Sequence, residues 1–173
     1  MNTQTFAARV GTVASLHLHP AVSGDPLVPV DAVEVVEEKG IVGDSRYFGR
    51  LSRSDGLPTK RQVSLIEREQ IAEHAAALGL AEIEPGAVRS NIETAGIDLV
   101  PLVGCEIEIG EAVLLISVPR DPCAQMDAIC QGLRERMLDN RQGVLAQVRR
   151  SGTIRRGDVI RVRAAKREGK DGQ

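Results

Sequence analysis

Hydrophobic and polar positions alternate in short stretches along most of the chain. Residues 9–18 (RVGTVASLHL) alternate and predict a strand, and the segment DAVEVVEEKG predicts a second one with Val33 and Val35 on the same face. A loop punctuated by Pro and Gly separates these two strands, and a long polar stretch follows from Gly40 to Lys60. A connection of that length inside a compact domain is usually functional or mobile.

A helix is predicted after the short strand RQVSLI (residues 61–66) and ends at Gly79. Ser64 and Glu67 have the S-x-x-E spacing of a capping box, which would mark the start of this helix. Its apolar stripe consists of Ile71, Ala75 and Leu78.

The remaining strands are short and separated by turn residues. The segments RSNIET (89–94), CEIEIG (105–110) and AVLLISV (112–118) predict strands, and VLAQVRR, SGTIRRGD and VIRV predict a hairpin-like C-terminal unit. Many short strands with two helices predict an α+β, mostly β fold, such as a partly closed antiparallel β-barrel. We expect a single domain over residues 1–173, with a frayed, charged tail at 164–173.

The sequence PRDPC, which ends at Cys123, lies between an apolar strand and an amphipathic helix. Asp121 suits the N-cap and Pro122 the first helical position, so Cys123 is expected in the first turn. Free N–H groups and the helix dipole there favour the thiolate, and Arg120 would assist, whereas Asp121 would oppose it. Such a thiolate could carry sulfur, attack an electrophile or ligate a soft metal. The alternative is a buried structural cysteine.

The other cysteines are interpreted as core residues. Cys130 follows Cys123 by seven residues on the same face of the second predicted helix, too far for a disulfide, and Cys105 begins a strand. An odd number of cysteines without a secretion signal argues against a disulfide scaffold. The second helix carries apolar or thiol side chains at Met126, Ile129, Cys130, Leu133 and Met137.

Polar side chains elsewhere could present hydrogen bonds to a ligand. Arg89 and Asn91 alternate onto one face of their predicted strand, where a guanidinium fork and an amide would act together. The Gly43–Tyr47 segment offers oxyanion donors and the carboxylate of Asp44. Each of these residues has an alternative interpretation as a turn residue or a structural ion pair.

Composition narrows the possible partners. Lys and Arg number 22 against 24 Asp and Glu, and the formal charge of −2 argues against a general nucleic-acid or membrane-surface binder. Three aromatic residues are too few for a base-stacking platform. Ten basic residues within 141–170 leave a polyanion-binding alternative open. No apolar run approaches about 20 residues, so we expect no membrane span and a cytoplasmic protein.

Five motifs occur in an order that resembles the MOSC domain family, named after the C-terminal region of molybdenum-cofactor sulfurase. They cover most of the chain, from about Gly40 to Val162. The motifs are GIVGDSRY (40–47), RQVSLIEREQI (61–71), RSNIETAGIDLVPLVG (89–104), IGEAVLLISVPRDPC (109–123) and GVLAQVRRSGTIRRGD (143–158).

The resemblance implies a β-barrel and a cysteine, here Cys123, that carries sulfur or ligates molybdenum. By the same resemblance, the molybdenum cofactor (molybdopterin) would be held by Arg61, Arg89, Asn91 and Asp121. Family members include sulfur-transfer domains and reductases of N-hydroxylated compounds, which implies a redox or sulfur-donor protein as partner. Pyridoxal phosphate is not expected on this chain, whose lysines lie in no pocket motif.

Two classes of function therefore remain. The first is a protein that binds the molybdenum cofactor or carries sulfur on Cys123, and that acts in sulfur transfer or reduction. The second is a non-catalytic carrier module that delivers sulfur or cofactor to a partner enzyme. The substrate and the oligomeric state are left open by the sequence.

Overall fold

A computed structural model describes residues 9–163 of the protein, so the predicted tail at 164–173 lies outside the described residues. Within that span the chain forms eleven strands, three short α-helices and a 3₁₀ turn at Val100–Leu102. The strands are β1 (Val10–Leu18), β2 (Val28–Val30), β3 (Ala32–Val36), β4 (Gly40–Ile41), β5 (Val63–Glu67), β6 (Ile92–Ala95), β7 (Glu106–Ile109), β8 (Ala112–Pro119), β9 (Val144–Arg150), β10 (Gly152–Arg155) and β11 (Val159–Val162). The helices are α1 (Arg68–Ala77), α2 (Gln125–Ile129) and α3 (Leu133–Arg136).

Seven strands close into a barrel in the order β1, β6, β5, β9, β8, β7, β11 and back to β1. The closing pairs run antiparallel, with Val10 opposite Arg161 and Thr12 opposite Val159. Strand β2 extends the sheet beside β1, and β10, β3 and β4 form a small second sheet. Among the described pairs only β5 and β6 are parallel. The predicted α+β, mostly β class is confirmed, and the barrel is closed completely rather than partly.

Alternation along the strands fills the barrel interior with branched aliphatic side chains. Leu65, Ile92 and Leu114 are fully buried there, and each contributes about 1.5–3 kcal/mol by leaving water. A second, smaller apolar cluster joins α1 to the two short helices through Ile71 and Met126. The helices therefore cover one side of a barrel whose own core is separate.

The second predicted helix is broken, which is the largest difference from the sequence-based expectation. Cys130 is extended (φ −159°, ψ 132°) and Gly132 is left-handed (φ 92°), so α2 and α3 are distinct. The Asp127 carboxylate accepts hydrogen bonds from the N–H groups of Gly132 and Arg134 and fixes the break. The predicted apolar stripe is still used, because Leu133 packs in the same cluster as Met126.

The predicted capping box is also wrong, although the helix it was meant to start does exist. Ser64 lies inside β5, and Glu67 occupies the N-cap position without a side-chain cap. The Glu67 carboxylate instead accepts a hydrogen bond from the N–H of Leu99 at 2.7 Å. Burial raises the pKa of this carboxyl above its ordinary value.

The three C-terminal strands do not form the predicted hairpin-like unit. Strand β9 pairs with β5 and β8, β10 crosses to β3 in the second sheet, and β11 pairs with β7 and closes the barrel on β1. Their partners are distant in sequence, so the C-terminal segment ties the two sheets together instead of pairing with itself.

Gly143, directly before β9, is where the backbone comes closest to the neighbouring strand. It has a left-handed φ of 69°, and a Cβ built on it would overlap the Leu65 carbonyl oxygen and lie 2.8 Å from the Ile66 Cα. Its carbonyl accepts the N–H of Arg120 at 3.0 Å, which fixes the backbone that follows β8. Only glycine fits this conformation at this distance.

We predict that Gly143→Ala lowers the free energy of unfolding by roughly 3 kcal/mol or more, because the added methyl collides with backbone atoms that cannot move aside. Gly157→Ala is the matched control, since Gly157 has a left-handed φ of 89° but open space where a Cβ would be. It should lose only about 1–2 kcal/mol. Urea unfolding of both variants measures the difference, and equal losses would show that the close approach at Gly143 is not a constraint.

Candidate functional site

A buried carboxylate, that of Asp44, organises one end of the barrel. Its Oδ2 accepts hydrogen bonds from the backbone N–H of His19 (2.9 Å), from His19 Nδ1 (2.8 Å) and from Asn91 Nδ2 (2.8 Å). Its Oδ1 accepts the N–H groups of Arg46 (3.1 Å) and Tyr47 (3.0 Å). Burial alone would raise the pKa of Asp44, but these hydrogen bonds and the charge of His19 outweigh it and lower the pKa to about 2.

Asn91 links this carboxylate to two strands. Its Oδ1 accepts the N–H (3.1 Å) and Oγ–H (3.0 Å) of Ser64 in β5, and its Nδ2 also donates to the carbonyl of His17 in β1 (3.1 Å). The Ser64 Oγ in turn accepts the Asn91 N–H at 3.0 Å. Asn91 is fully buried, and both its amide oxygen and its amide nitrogen form hydrogen bonds. It therefore connects Asp44 to Ser64 and His17 inside the protein.

The arrangement places a proton on one ring nitrogen of His19. The Asp44 carboxylate is ionised at neutral pH and can only accept, so Nδ1 is the donor of the hydrogen bond between them. The other ring nitrogen, Nε2, is buried and has no hydrogen-bond partner within residues 9–163. The ring also packs edge-on against Tyr47, with centroids 5.4 Å apart.

Arg120 is a buried cation without a carboxylate. It follows β8 directly, and its Nη1 donates to the Ser90 Oγ (2.9 Å) and weakly to the Val88 carbonyl (3.4 Å). No Asp or Glu of the described chain lies within ion-pair distance of it. Burial, together with the charges of Arg46 and Arg89, lowers the pKa of Arg120, whereas Tyr47 and the Cys123 thiol act in the opposite direction.

A cavity of about 170 Å³ lies above this network, and its wall is cationic. His19, Ser45, Arg46, Arg50 and Arg89 contribute to it. Arg46 also lies over the Tyr47 ring, with Cζ 5.4 Å from the centroid. No carboxylate lines this cavity among the residues the structure describes, so its walls suit an anionic ligand.

Cys123 lies in the loop between β8 and α2 and is exposed. Helix α2 starts at Gln125 with Ala124 as N-cap, so the prediction that Cys123 occupies the first helical turn, with Asp121 as N-cap, is wrong. Residues 120–123 form no helix or strand, and Pro122 disfavours helical backbone angles at Asp121. The thiol is within electrostatic range of Arg120, and its Sγ contacts the Gln125 Oε1 at 3.8 Å.

The other residues predicted to bind a ligand do not all lie at the cavity. Arg89 and Asn91 do not share a strand face, because Arg89 precedes β6 with a left-handed φ of 65°. Arg89 lines the cavity and donates to the Asp25 carbonyl at 2.9 Å. Asp121 and Arg61 are exposed, and no described contact joins either of them to the cavity.

Sequence reasoning missed His19 as a member of the site and gave Arg120 only an auxiliary role. The available signals were a histidine at the end of a strand and an arginine between two prolines. Neither signal shows burial or the absence of a charged partner. Within the described residues no group of three or more His, Cys, Asp and Glu side chains is arranged to hold a metal ion.

The longest described helix, α1, has ten residues, and none of the helices between residues 9 and 163 has the length and apolar character needed to cross a bilayer.

We predict that ionised Asp44 contributes about 2 kcal/mol to stability, from the lowering of its pKa from 3.8 to about 2. A lowered pKa gives a contribution that is complete above about pH 4 and is lost as the pH falls through about 2. Urea unfolding of wild type and Asp44→Asn should therefore show a stability difference that shrinks across this window. A difference that stays constant from about pH 6 to about pH 2 would contradict this assignment.

Comparison with solved structures returns close fold matches. The YuaD protein of Bacillus subtilis superposes with a TM-score of 0.74 at 24% identity, over 88% of this chain and 95% of that one. YiiM of Geobacillus stearothermophilus gives 0.64 at 19% identity, over 89% and 75%. YiiM of Escherichia coli gives 0.61 at 17% identity, over 92% and 70%. At these identities the likeness shows the fold.

Comparison with curated protein sequences gives no significant match. The sequence model of the MOSC domain, however, matches residues 21–161, which span the barrel strands β5 to β9 and every residue of the buried network except His17 and His19. Together with the closed barrel, this match shows that the chain belongs to the MOSC domain family.

Proposed function

We propose that this protein binds the molybdenum cofactor, carries sulfur on Cys123, or does both, and that it acts in sulfur transfer or in the reduction of N-hydroxylated compounds. The observation that carries the proposal is the exposed thiol of Cys123, three residues after Arg120, a buried guanidinium with no carboxylate partner among the described residues. Membership of the MOSC family supports the same chemistry.

The residues present fit an anionic cofactor. A buried guanidinium without a carboxylate is costly, and a bound phosphate would supply the missing partner. The cavity wall is cationic as well, since Arg46, Arg50 and Arg89 line it. The Cys123 sulfur is a soft donor of the kind that suits molybdenum. Bound there, the cofactor would supply redox chemistry, with a thiolate ligand tuning the metal.

We assign each of the chain's own residues a distinct role in binding the cofactor or carrying sulfur. Arg46 and Arg89, which line the cavity, would hold the phosphate together with Arg120, and Cys123 would supply sulfur. We assign Asn91 a positioning role, because its side-chain amide is already engaged by Ser64, His17 and Asp44. Arg61 and Asp121 remain proposed cofactor contacts from the family resemblance alone.

A non-catalytic carrier is the second candidate. Cys123 is exposed on a loop rather than enclosed, and Val118, near the end of the strand that precedes this loop, is an exposed apolar residue. A sulfur-donor or redox protein could reach a thiol in that position, and a carrier would pass its cargo on without turnover. Reductase activity with an artificial electron donor separates the two candidates, because only the enzyme would show it.

We predict that Cys123→Ser, purified from a host that makes the molybdenum cofactor, loses the bound cofactor mass or the sulfur adduct that wild type shows in native mass spectrometry. The hydroxyl is a far poorer ligand for molybdenum and cannot form a persulfide. Cys130→Ser is the matched control, because this half-buried thiol follows α2 and makes only a weak contact with the Gln131 carbonyl. Equal cofactor content or adducts in wild type and Cys123→Ser would refute the role of Cys123.

We also predict that Arg120→Met raises the melting temperature in anion-free buffer, because it removes a buried charge that has no carboxylate partner. The same variant should lose most of the increase in melting temperature that inorganic phosphate gives to wild type.

Arg163→Met is the control for Arg120→Met, since Arg163 is partly exposed and pairs with Glu106 and Glu108. It should keep the full response to phosphate. A phosphate response that Arg120→Met retains in full would show that this guanidinium does not serve an anion site.

A further inference from the structure

A second cavity, of about 380 Å³, adjoins the cationic one, and Arg89 lines both of them. One loop also contributes to both walls, because Ser23 lines the cationic cavity and Gly24, the next residue, lines the second cavity. The side chain of Arg89 reaches this loop, where its Nη1 donates to the Asp25 carbonyl at 2.9 Å. Arg89 therefore lies at the boundary between the two cavities.

The cationic cavity alone is small for an organic ligand. Its volume of about 170 Å³ has room for an inorganic oxyanion or for the anionic group of a larger molecule. Cavities that bind small organic molecules usually measure about 300–1,000 Å³. The second cavity, at about 380 Å³, reaches that range on its own. It is therefore the adjoining space in which a ligand held by its anionic group would place its other atoms.

The walls of the second cavity differ in chemistry from those of the cationic cavity. Its apolar wall residues are Pro26, Leu27, Pro85 and Ala87. Besides Arg89, Glu84 is the only charged residue that contributes to this wall within the described part of the chain. Such walls favour an uncharged, apolar group through the burial of its surface, whereas the Glu84 carboxylate disfavours a second negative charge.

Arg89 has hydrogen-bond donors left for a ligand. A guanidinium carries five N–H groups, and among residues 9–163 its side chain donates only to the Asp25 carbonyl. The backbone N–H of Arg89 donates to the Gly86 carbonyl at 3.0 Å, which holds the residue in a turn. An anion bound to the remaining guanidinium N–H groups would have its substituent next to the second cavity.

We propose that the second cavity binds the uncharged, apolar part of a ligand whose single anionic group occupies the cationic cavity, with Arg89 between the two parts. The ligand class is an oxyanion attached to an aromatic or aliphatic group that carries no second negative charge. This inference rests on the proposed function, because the cationic cavity must bind an anion, and it adds the chemistry of the group attached to that anion.

Inorganic phosphate and phenyl phosphate are the probes, because they present the same charged group without and with an apolar ring. Calorimetric titration of wild type, purified from a host without the molybdenum cofactor, should give about tenfold tighter binding of phenyl phosphate, through the ring surface that leaves water. Equal affinities would overturn the proposal and leave the anion site intact. Failure of both probes to bind would overturn it together with the anion-binding part of the proposed function.

Two kinds of variant test whether one ligand spans both cavities. Arg46 lines only the cationic cavity, so Arg46→Met should weaken the binding of both probes by a similar factor, about threefold or more. If Arg46→Met weakens only inorganic phosphate, the cavities bind separate ligands and the proposal is wrong. Leu27→Ala and Pro26→Ser should each lower the ratio of the two affinities. Val159→Ala, at an exposed residue of β11 outside both walls, is the control and should keep the ratio.

The exclusion of a second charge is tested with 4-carboxyphenyl phosphate. It should bind about tenfold more weakly than phenyl phosphate, because its carboxylate would enter an apolar space that contains Glu84. Glu84→Gln should recover part of this loss. Glu82→Gln is the matched control, since Glu82 is exposed and its replacement changes the net charge equally without altering the wall. Equal recovery in both variants, or no loss in wild type, would contradict the proposed selectivity.

Discussion

The burial of the Asp44 carboxylate is the constraint on which the site depends. An ionised carboxylate is stable inside a protein only when donors surround it, and here the donors come from the end of β1, from the residue before β6 and from the turn that follows Asp44 itself. Asn91 extends the same network to β5 through Ser64. The loop that contains Asp44 is thereby anchored to the strands of the barrel.

Arg120 is the opposite case, because no described residue supplies the negative charge that would balance its buried guanidinium. The Ser90 hydroxyl satisfies part of its hydrogen bonding but supplies no negative charge. A protein selected for stability alone would place an apolar side chain there, since buried unpaired charges cost several kcal/mol. The fold holds Arg120 in place through the close approach of Gly143 to β5, which links the tightest backbone contact of the barrel to the proposed anion site.

Much of the barrel could be predicted because its signals are local. The alternation along β1, the continuous apolar run of β8 and the left-handed Gly79 after α1 are read from neighbouring residues. Periodicity failed at Cys130, where the Asp127 carboxylate stabilises a turn that breaks the helix. The spacing of Ser64 and Glu67 matched a capping box, yet both side chains bond to residues more than 25 positions away. Interactions over such separations also define the roles of His19 and Arg120, which no local pattern reveals.

The most direct measurement is a crystal structure of wild type purified from a host that makes the molybdenum cofactor, with diffraction recorded at the molybdenum absorption edge. The account predicts an anomalous peak at bonding distance from the Cys123 Sγ, with the anionic part of the same molecule against the arginines of the cavity. A peak remote from Cys123, or a cofactor-loaded protein whose Cys123 and cavity are both unligated, would contradict the central claim that this thiol and this cationic cavity form one site.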